Sequence, residues 1–248
     1  MPQASARYSA AHLRRDWGDA MDVRWARGWN VAIALLVAAG LVLQLWIAIR
    51  VSATPAGHAV GTLAGTPLAN RIVRVLSFFT VQSNILSGVT CAQLAREPRR
   101  DGPAWRAVRL AALFGITVTG IVYSTVLAKL HEPRGWQATA TNDVFHYIVP
   151  IMVVLGWLLF GPRPRIDGRT IGRAILWPVG WAVYILIYGA ATKWYPYPFV
   201  DVITHGYARV TVNAAVVVVV VLIVTGLYWL GDRRLPASDR DVRVDAPV

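Results

Sequence analysis

The sequence has little cysteine, little charge and almost no lysine. The single cysteine, Cys91, rules out an intrachain disulfide, and only 15% of the 248 residues are charged, against about a quarter in soluble domains. Only two of the 25 basic residues are lysine. The arginines sit at the ends of apolar runs instead of forming one basic patch, so we expect no nucleic acid to bind.

Familiar cofactor motifs are also missing. The chain has no GxGxxG after a strand, no P-loop, no HExxH and no CxxC pair. Dinucleotide, nucleotide and zinc-protease chemistry therefore have no support, and we expect neither a cofactor nor a metal.

The sequence does contain long apolar runs. It is 56% apolar with a mean hydropathy of +0.47. Six runs have the roughly 17 to 25 residues that a helix needs to cross a bilayer. They are 31–49, 75–94, 110–128, 144–160, 174–191 and 210–230. We predict an all-α integral membrane protein whose domain, residues 29–230, is a bundle of six transmembrane helices.

The basic residues predict the orientation of this bundle. Alternate segments between the spans carry 18 Lys and Arg on one side and 7 on the other. The positive-inside rule puts the richer side in the cytoplasm, together with both termini. Residues 1–28 and 231–248 are then polar, mobile cytoplasmic tails. The excess of Arg, Ala and Val hints at a GC-rich bacterial genome, so we expect a bacterial plasma membrane.

The second run contains an unusual polar cluster, FFTVQSNIL at 78–86. Residues three and four apart share a helix face, and this face comprises Ser77, Thr80, Ser83, Asn84 and Ser87. Small polar residues commonly pack and hydrogen-bond between membrane helices, which is the simpler interpretation. The Asn84 amide, however, could hold a carbonyl oxygen or an oxyanion. Gln82 points away from this face and needs its own partner, for which a neighbouring helix is the candidate.

The fourth run begins with an ionisable residue at its outer edge. His146 follows Asn142 and Asp143 at spacings that share a helix face, if the helix extends that far back. A histidine here is either bonded to water and headgroups or part of a functional site. Pro150 has no N–H for the carbonyl one turn earlier, and it could kink the helix beside His146.

The last outer loop, WYPYPFVDVITHGYARV, is rich in aromatic residues. These could form an interfacial belt, but two X-Pro steps make a stiff turn that suits a cap over a cavity. The candidate residues in this region are Tyr184, Tyr188, Trp194, Tyr195, Tyr197, Asp201 and His205.

A threonine and a histidine at one depth suggest a nucleophile and a general base for acyl transfer. Thr80 and His146 are these candidates, and either Asp143 or Asp201 could orient the histidine. A lipid from the bilayer would be the substrate partner. The alternative from the residues is a transporter or lipid-binding protein that uses the polar face as a path. A purely structural scaffold explains the histidine and the aromatic turn poorly.

Three motifs in order, RVLSFFT, HYIVP and WYPYPFVD with the following GYARV, span about residues 71–213. Together they resemble the androgen-induced-protein family of membrane proteins. The resemblance implies a threonine hydrolase that cleaves esters of fatty acids with hydroxy fatty acids, with Thr80 and His146 as its catalytic pair. The chain departs from the animal pattern at VQSN, after the threonine, and at Asp201, where the family has Glu.

Overall fold

The computed structural model describes residues 3–51, 60–130 and 133–237, and all regular secondary structure in these ranges is helical. The α-helices are α1 Gln3–Arg50, α2 Leu68–Ser77, α3 Phe79–Arg96, α4 Pro103–Val122, α5 Trp136–Asp143, α6 Val149–Phe160, α7 Gly168–Thr192 and α8 Val202–Arg234. Two π-helical segments, Tyr123–Leu127 and Val144–Ile148, extend α4 and join α5 to α6, and a 3-10 turn covers Pro198–Val200.

Within the residues that the structure describes, five helical stretches are long and apolar enough to cross a membrane. The count becomes six if the pair α2 and α3, bent by 71°, forms one broken span. This confirms an all-helical membrane protein. Each predicted run falls within helical residues except the second, which is interrupted at Phe78, and the third, whose last residue, Ala128, lies in a turn. Side chains that are distant in sequence hold the bend at Phe78.

The helices extend beyond the predicted runs. α5, the π-helical segment and α6 together begin at Trp136, eight residues before the predicted start of the fourth run. The residues predicted as an N-terminal tail belong to α1 from Gln3 onward, and α8 continues to Arg234. The remainder of the predicted C-terminal tail, beyond residue 237, lies outside the described residues.

Helix α4 occupies the centre of the bundle. It packs against α3, α6, α7 and α8, and more than half of its membrane-spanning window is buried. Its side chains Leu113, Phe114 and Ile116 join Val149 and Val153 of α6 in the main apolar cluster. α1 lies against α3 and α6 on the other side. This arrangement fixes the start of α3 and the end of α4 relative to each other.

Candidate functional site

The bend between α2 and α3 frees backbone groups that a continuous helix would pair. Phe78 is extended at the bend, with φ −67° and ψ 129°. In a bilayer each unpaired polar group costs several kcal/mol, so the freed groups require side-chain partners. Gln82 Nε2 donates to Leu76 O at 3.0 Å, and Trp181 Nε1 donates to Ser77 O at 2.9 Å. The bend is therefore stabilised by side chains and contains neither Pro nor Gly.

Gln82 has the partner on another helix that its position predicted. Its Oε1 accepts a hydrogen bond from Trp177 Nε1 of α7 at 3.1 Å. Trp177 and Trp181 lie four residues apart and thus on one face of α7. The spacing of the two tryptophans is visible in the sequence. It does not predict that they hydrogen-bond to the bend, because Trp is also common at the membrane interface.

Thr80 is the second residue of α3, where helical N–H groups have no intrahelical acceptor. The Thr80 N–H donates to the Tyr197 hydroxyl oxygen at 3.1 Å, and Thr80 Oγ1 lies 3.2 Å from the same oxygen. Burial raises the pKa of Tyr197 to about 12, so its hydroxyl keeps its proton at neutral pH. That oxygen accepts from Thr80 N, and either hydroxyl can be the donor in the contact between Tyr197 and Thr80 Oγ1.

Aromatic rings surround the start of α3 on two sides. Phe78 makes edge contacts with Trp194 and Tyr197, both with ring centroids 5.6 Å apart. Tyr197 also stacks on Phe199 at 5.2 Å. Phe79 stacks on Trp177 at 4.6 Å. The tyrosine that contacts Thr80 is thus fixed by packing as well as by its hydroxyl.

The loop between α7 and α8 is attached to the segment before α2. Gly61 N donates to Tyr195 O at 2.9 Å, and Trp194 Nε1 donates to Thr62 O at 2.8 Å. Tyr195 is buried and its ring rests on Gly189 of α7. The loop between α7 and α8 and the segment before α2, which are distant in sequence, therefore cover the bend together.

His146 lies in the second π-helical segment and stacks on Tyr123, the first residue of the other one. The ring centroids are 3.8 Å apart and the planes differ by 23°. His146 Nδ1 is 3.0 Å from Asn142 O. A backbone carbonyl only accepts, so Nδ1 carries the hydrogen in this contact.

Close packing of α4 on α6 brings the rings of Tyr123 and His146 together. A Cβ at Gly120 would lie 3.1 Å from the Pro150 ring, so glycine permits the approach. Tyr123 follows Gly120 by one turn, and His146 precedes Pro150 by one turn. Pro150 has no N–H to donate to His146 O, and the helix accommodates this with the π-helical segment just before it.

Thr80 and His146 line one cavity of about 450 Å³. Its other polar contributors include Tyr123, Asn142 and Tyr197; we call it the His146 cavity. These two described residues are not hydrogen-bonded to each other: the Thr80 hydroxyl pairs with Tyr197. Thr80 also lines a second space of about 320 Å³ on the opposite side.

Asn84 connects Thr80 to the histidine segment. Its Nδ2 donates to Thr80 O at 2.9 Å and to Phe145 O at 3.2 Å. Both amide hydrogens are thereby used, so Asn84 positions the two backbones and leaves no donor for an oxyanion. Ser83 is buried where α3 meets Gly115 of α4 and lines neither cavity.

The other predicted residues lie around the site and not within it. Asp201 is buried and its carboxylate caps α8, accepting from Ile203 N and Thr204 Oγ1. Asp143 is half-buried beside Asn142. Tyr184 pairs with Ser77 Oγ at 2.7 Å and stacks on Tyr188, outside both cavities. His205 is exposed. The carbonyl of Asn142 is the partner of His146 Nδ1.

Comparison with known proteins adds no relative: no family model, no curated protein and no solved structure matches the chain.

Proposed function

We propose that the protein is a membrane-embedded hydrolase of lipid esters, with Thr80 as the nucleophile and His146 as the general base. The observation that carries the proposal is the position of Thr80. It lies at the start of a broken helix and lines a cavity that also contains His146. Threonine attacks an ester only when a base takes its proton and donors stabilise the oxyanion. The resemblance to the androgen-induced-protein family supports the same pair.

His146 has the arrangement expected of a base. His146 Nδ1 contacts Asn142 O, stacking on Tyr123 fixes the ring plane, and Nε2 is the nitrogen that we propose as the base. In the proposed reaction Thr80 Oγ1 attacks the ester carbonyl as its proton passes to His146 Nε2. The proton then goes to the leaving alkoxide, and water activated by His146 hydrolyses the acyl-threonine.

The start of α3 is the proposed oxyanion site. The Thr80 N–H donates to the Tyr197 oxygen, at a helix N-terminus where the dipole favours negative charge. An oxyanion formed beside Thr80 would replace the Tyr197 oxygen as the acceptor of this N–H, and the Tyr197 hydroxyl would donate to it. No metal is required by this chemistry.

We include the number of spans and their orientation in the same proposal. Counting α2 and α3 as one span gives six spans with both termini cytoplasmic, as the distribution of arginine predicts. The bend, the aromatic loop and His146 then face the outside of a bacterial plasma membrane. Lipid enters from the bilayer, and fatty acid esters of hydroxy fatty acids or similar acyl esters are the proposed substrates.

A transporter or lipid-binding protein is the alternative, because the polar face of α3 continues beyond Thr80. Ser83, Ser87 and Thr90 are its further members, but all are buried, and none lines either cavity. The buried face thus favours helix packing over a path across the membrane.

A covalent probe tests the proposed function. The purified full chain in detergent micelles is treated with a fluorophosphonate, and the adduct is located by tandem mass spectrometry. We expect one adduct, on Thr80. An adduct on another side chain would refute the nucleophile, and a chain that binds lipid without labelling or turnover would support the alternative.

Replacing Tyr197 with phenylalanine tests the oxyanion site. The ring contacts remain, but the hydroxyl that contacts Thr80 is removed, and we expect kcat to fall about 10- to 1,000-fold. Tyr184→Phe is the matched control, because it deletes a hydroxyl that lines neither cavity. Equal rates for the two variants would exclude Tyr197 from the reaction. The measurement is ester hydrolysis at saturating substrate.

Replacing His146 with glutamine removes the proposed base. We expect hydrolysis to fall about 100- to 10,000-fold. His205→Gln makes the same change at an exposed histidine outside both cavities and should leave the rate within about twofold. Both rates are measured with the same ester in the same micelles. If His146→Gln retains the wild-type rate, another group is the base.

A further inference from the structure

The second space at Thr80 is an apolar groove, and no step of the proposed reaction takes place in it. It measures about 320 Å³ and lies between α4, α7 and α8. Its walls are almost entirely aliphatic and aromatic, including Val118, Val122, Ile175, Val179, Ala182, Leu186, Ala214, Val218 and Leu222. We call this space the acyl groove.

The acyl groove and the His146 cavity meet at Thr80. Three residues, Thr80, Leu127 and Tyr197, line both spaces. The polar groups Asn142 and His146 line only the cavity. A molecule with an ester at Thr80 could thus extend an apolar chain to one side and a more polar half to the other.

The acyl groove opens toward the lipid-facing surface. α7 and α8 both pack on α4 but hardly on each other, and the groove lies in the gap between them. Val183 of α7 and Val218 and Leu222 of α8 line the groove while about half of each side chain remains exposed. In a bilayer this surface faces hydrocarbon, so lipid chains are the molecules that meet the opening.

We infer that the acyl groove binds the acyl chain of the substrate, which enters sideways between α7 and α8 with its carbonyl at Thr80. The inference rests on the proposed function and adds a binding site and a basis for selectivity. The alcohol half of the ester lies in the His146 cavity. The small side chains Ala182 and Ala214 leave the groove open along its length, so residue size there sets the chain length accepted.

Two neighbouring alanines on α8 provide a matched test. Both are exposed, and Ala214 lines the groove whereas Ala215 does not. Ala214→Phe fills the groove, and we expect the ratio of kcat/KM for p-nitrophenyl palmitate to that for p-nitrophenyl butyrate to fall at least about tenfold. Ala215→Phe should leave this ratio unchanged. Equal ratios for the two variants would overturn the inference.

A photolabel separates this inference from the proposed function. Thr80→Ala protein in lipid nanodiscs is irradiated with a palmitate analogue that carries a diazirine near its terminal carbon. Adducts on the α7 and α8 residues of the groove, abolished by Ala214→Phe and retained in Ala215→Phe, support the subsite even if no ester is hydrolysed. Adducts spread over the lipid-facing helices would overturn it even if hydrolysis is found.

Discussion

Thr80→Ala should abolish labelling by fluorophosphonate and lower ester hydrolysis at least about a thousandfold. The variant removes the threonine hydroxyl that lines both spaces and contacts Tyr197. Alanine has high helix propensity, and the Thr80 N–H can still donate to Tyr197, so the fold should persist. Hydrolysis is followed by release of fatty acid, and folding by the elution profile in detergent.

Two further variants make this result specific to the nucleophile. Thr80→Ser retains a hydroxyl and should keep both labelling and turnover. Thr125→Ala removes an exposed hydroxyl that donates to Ile121 O one turn earlier. This variant should behave as wild type. Labelling that survives in Thr80→Ala would contradict the assignment.

Gly189→Ala should destabilise the protein by about 1 to 3 kcal/mol, as overpacked sites do. An added Cβ would overlap with the ring of Tyr195, which rests on this glycine. The loop that carries Tyr197 would have to move, so hydrolysis should fall with stability. Cys91 is the only cysteine and is buried. A thiol-reactive dye therefore reports unfolding during a thermal ramp.

Gly180→Ala is the control on the same helix. A Cβ at Gly180 meets nothing within 4 Å, and alanine is favoured over glycine in a helix interior by up to about 1 kcal/mol. We expect an unchanged or higher transition temperature and unchanged hydrolysis. If both variants destabilise equally, the contact between Tyr195 and Gly189 does not hold the loop.

The sequence predicted those parts of the fold that depend on local pattern. Runs of apolar residues locate the helices because every backbone group in a bilayer must pair within its own segment. The polar face also follows from helical periodicity, and Thr80, Ser83, Asn84 and Ser87 are all buried in α3.

Features that depend on distant partners were not predictable from local pattern. The bend at Phe78 has no Pro or Gly to indicate it, because Trp177 and Trp181 of α7 stabilise it together with Gln82. Asn84 illustrates the same limit. Its amide suggested an oxyanion donor, but the neighbouring carbonyls of Thr80 and Phe145 occupy it. Likewise, only the packed structure brings Tyr123 onto His146.

The bend at Phe78 also imposes an order on biogenesis. Its partners Trp177, Trp181 and Tyr197 are translated 95, 104 and 117 residues after the groups they bind. Until α7 is inserted, Ser77 O lacks its donor Trp181 and the Gln82 amide lacks its partner Trp177, so a straight helix is the better state for the nascent segment 68–96. We therefore expect this segment to bend only after α7 and the loop that follows it have been synthesised.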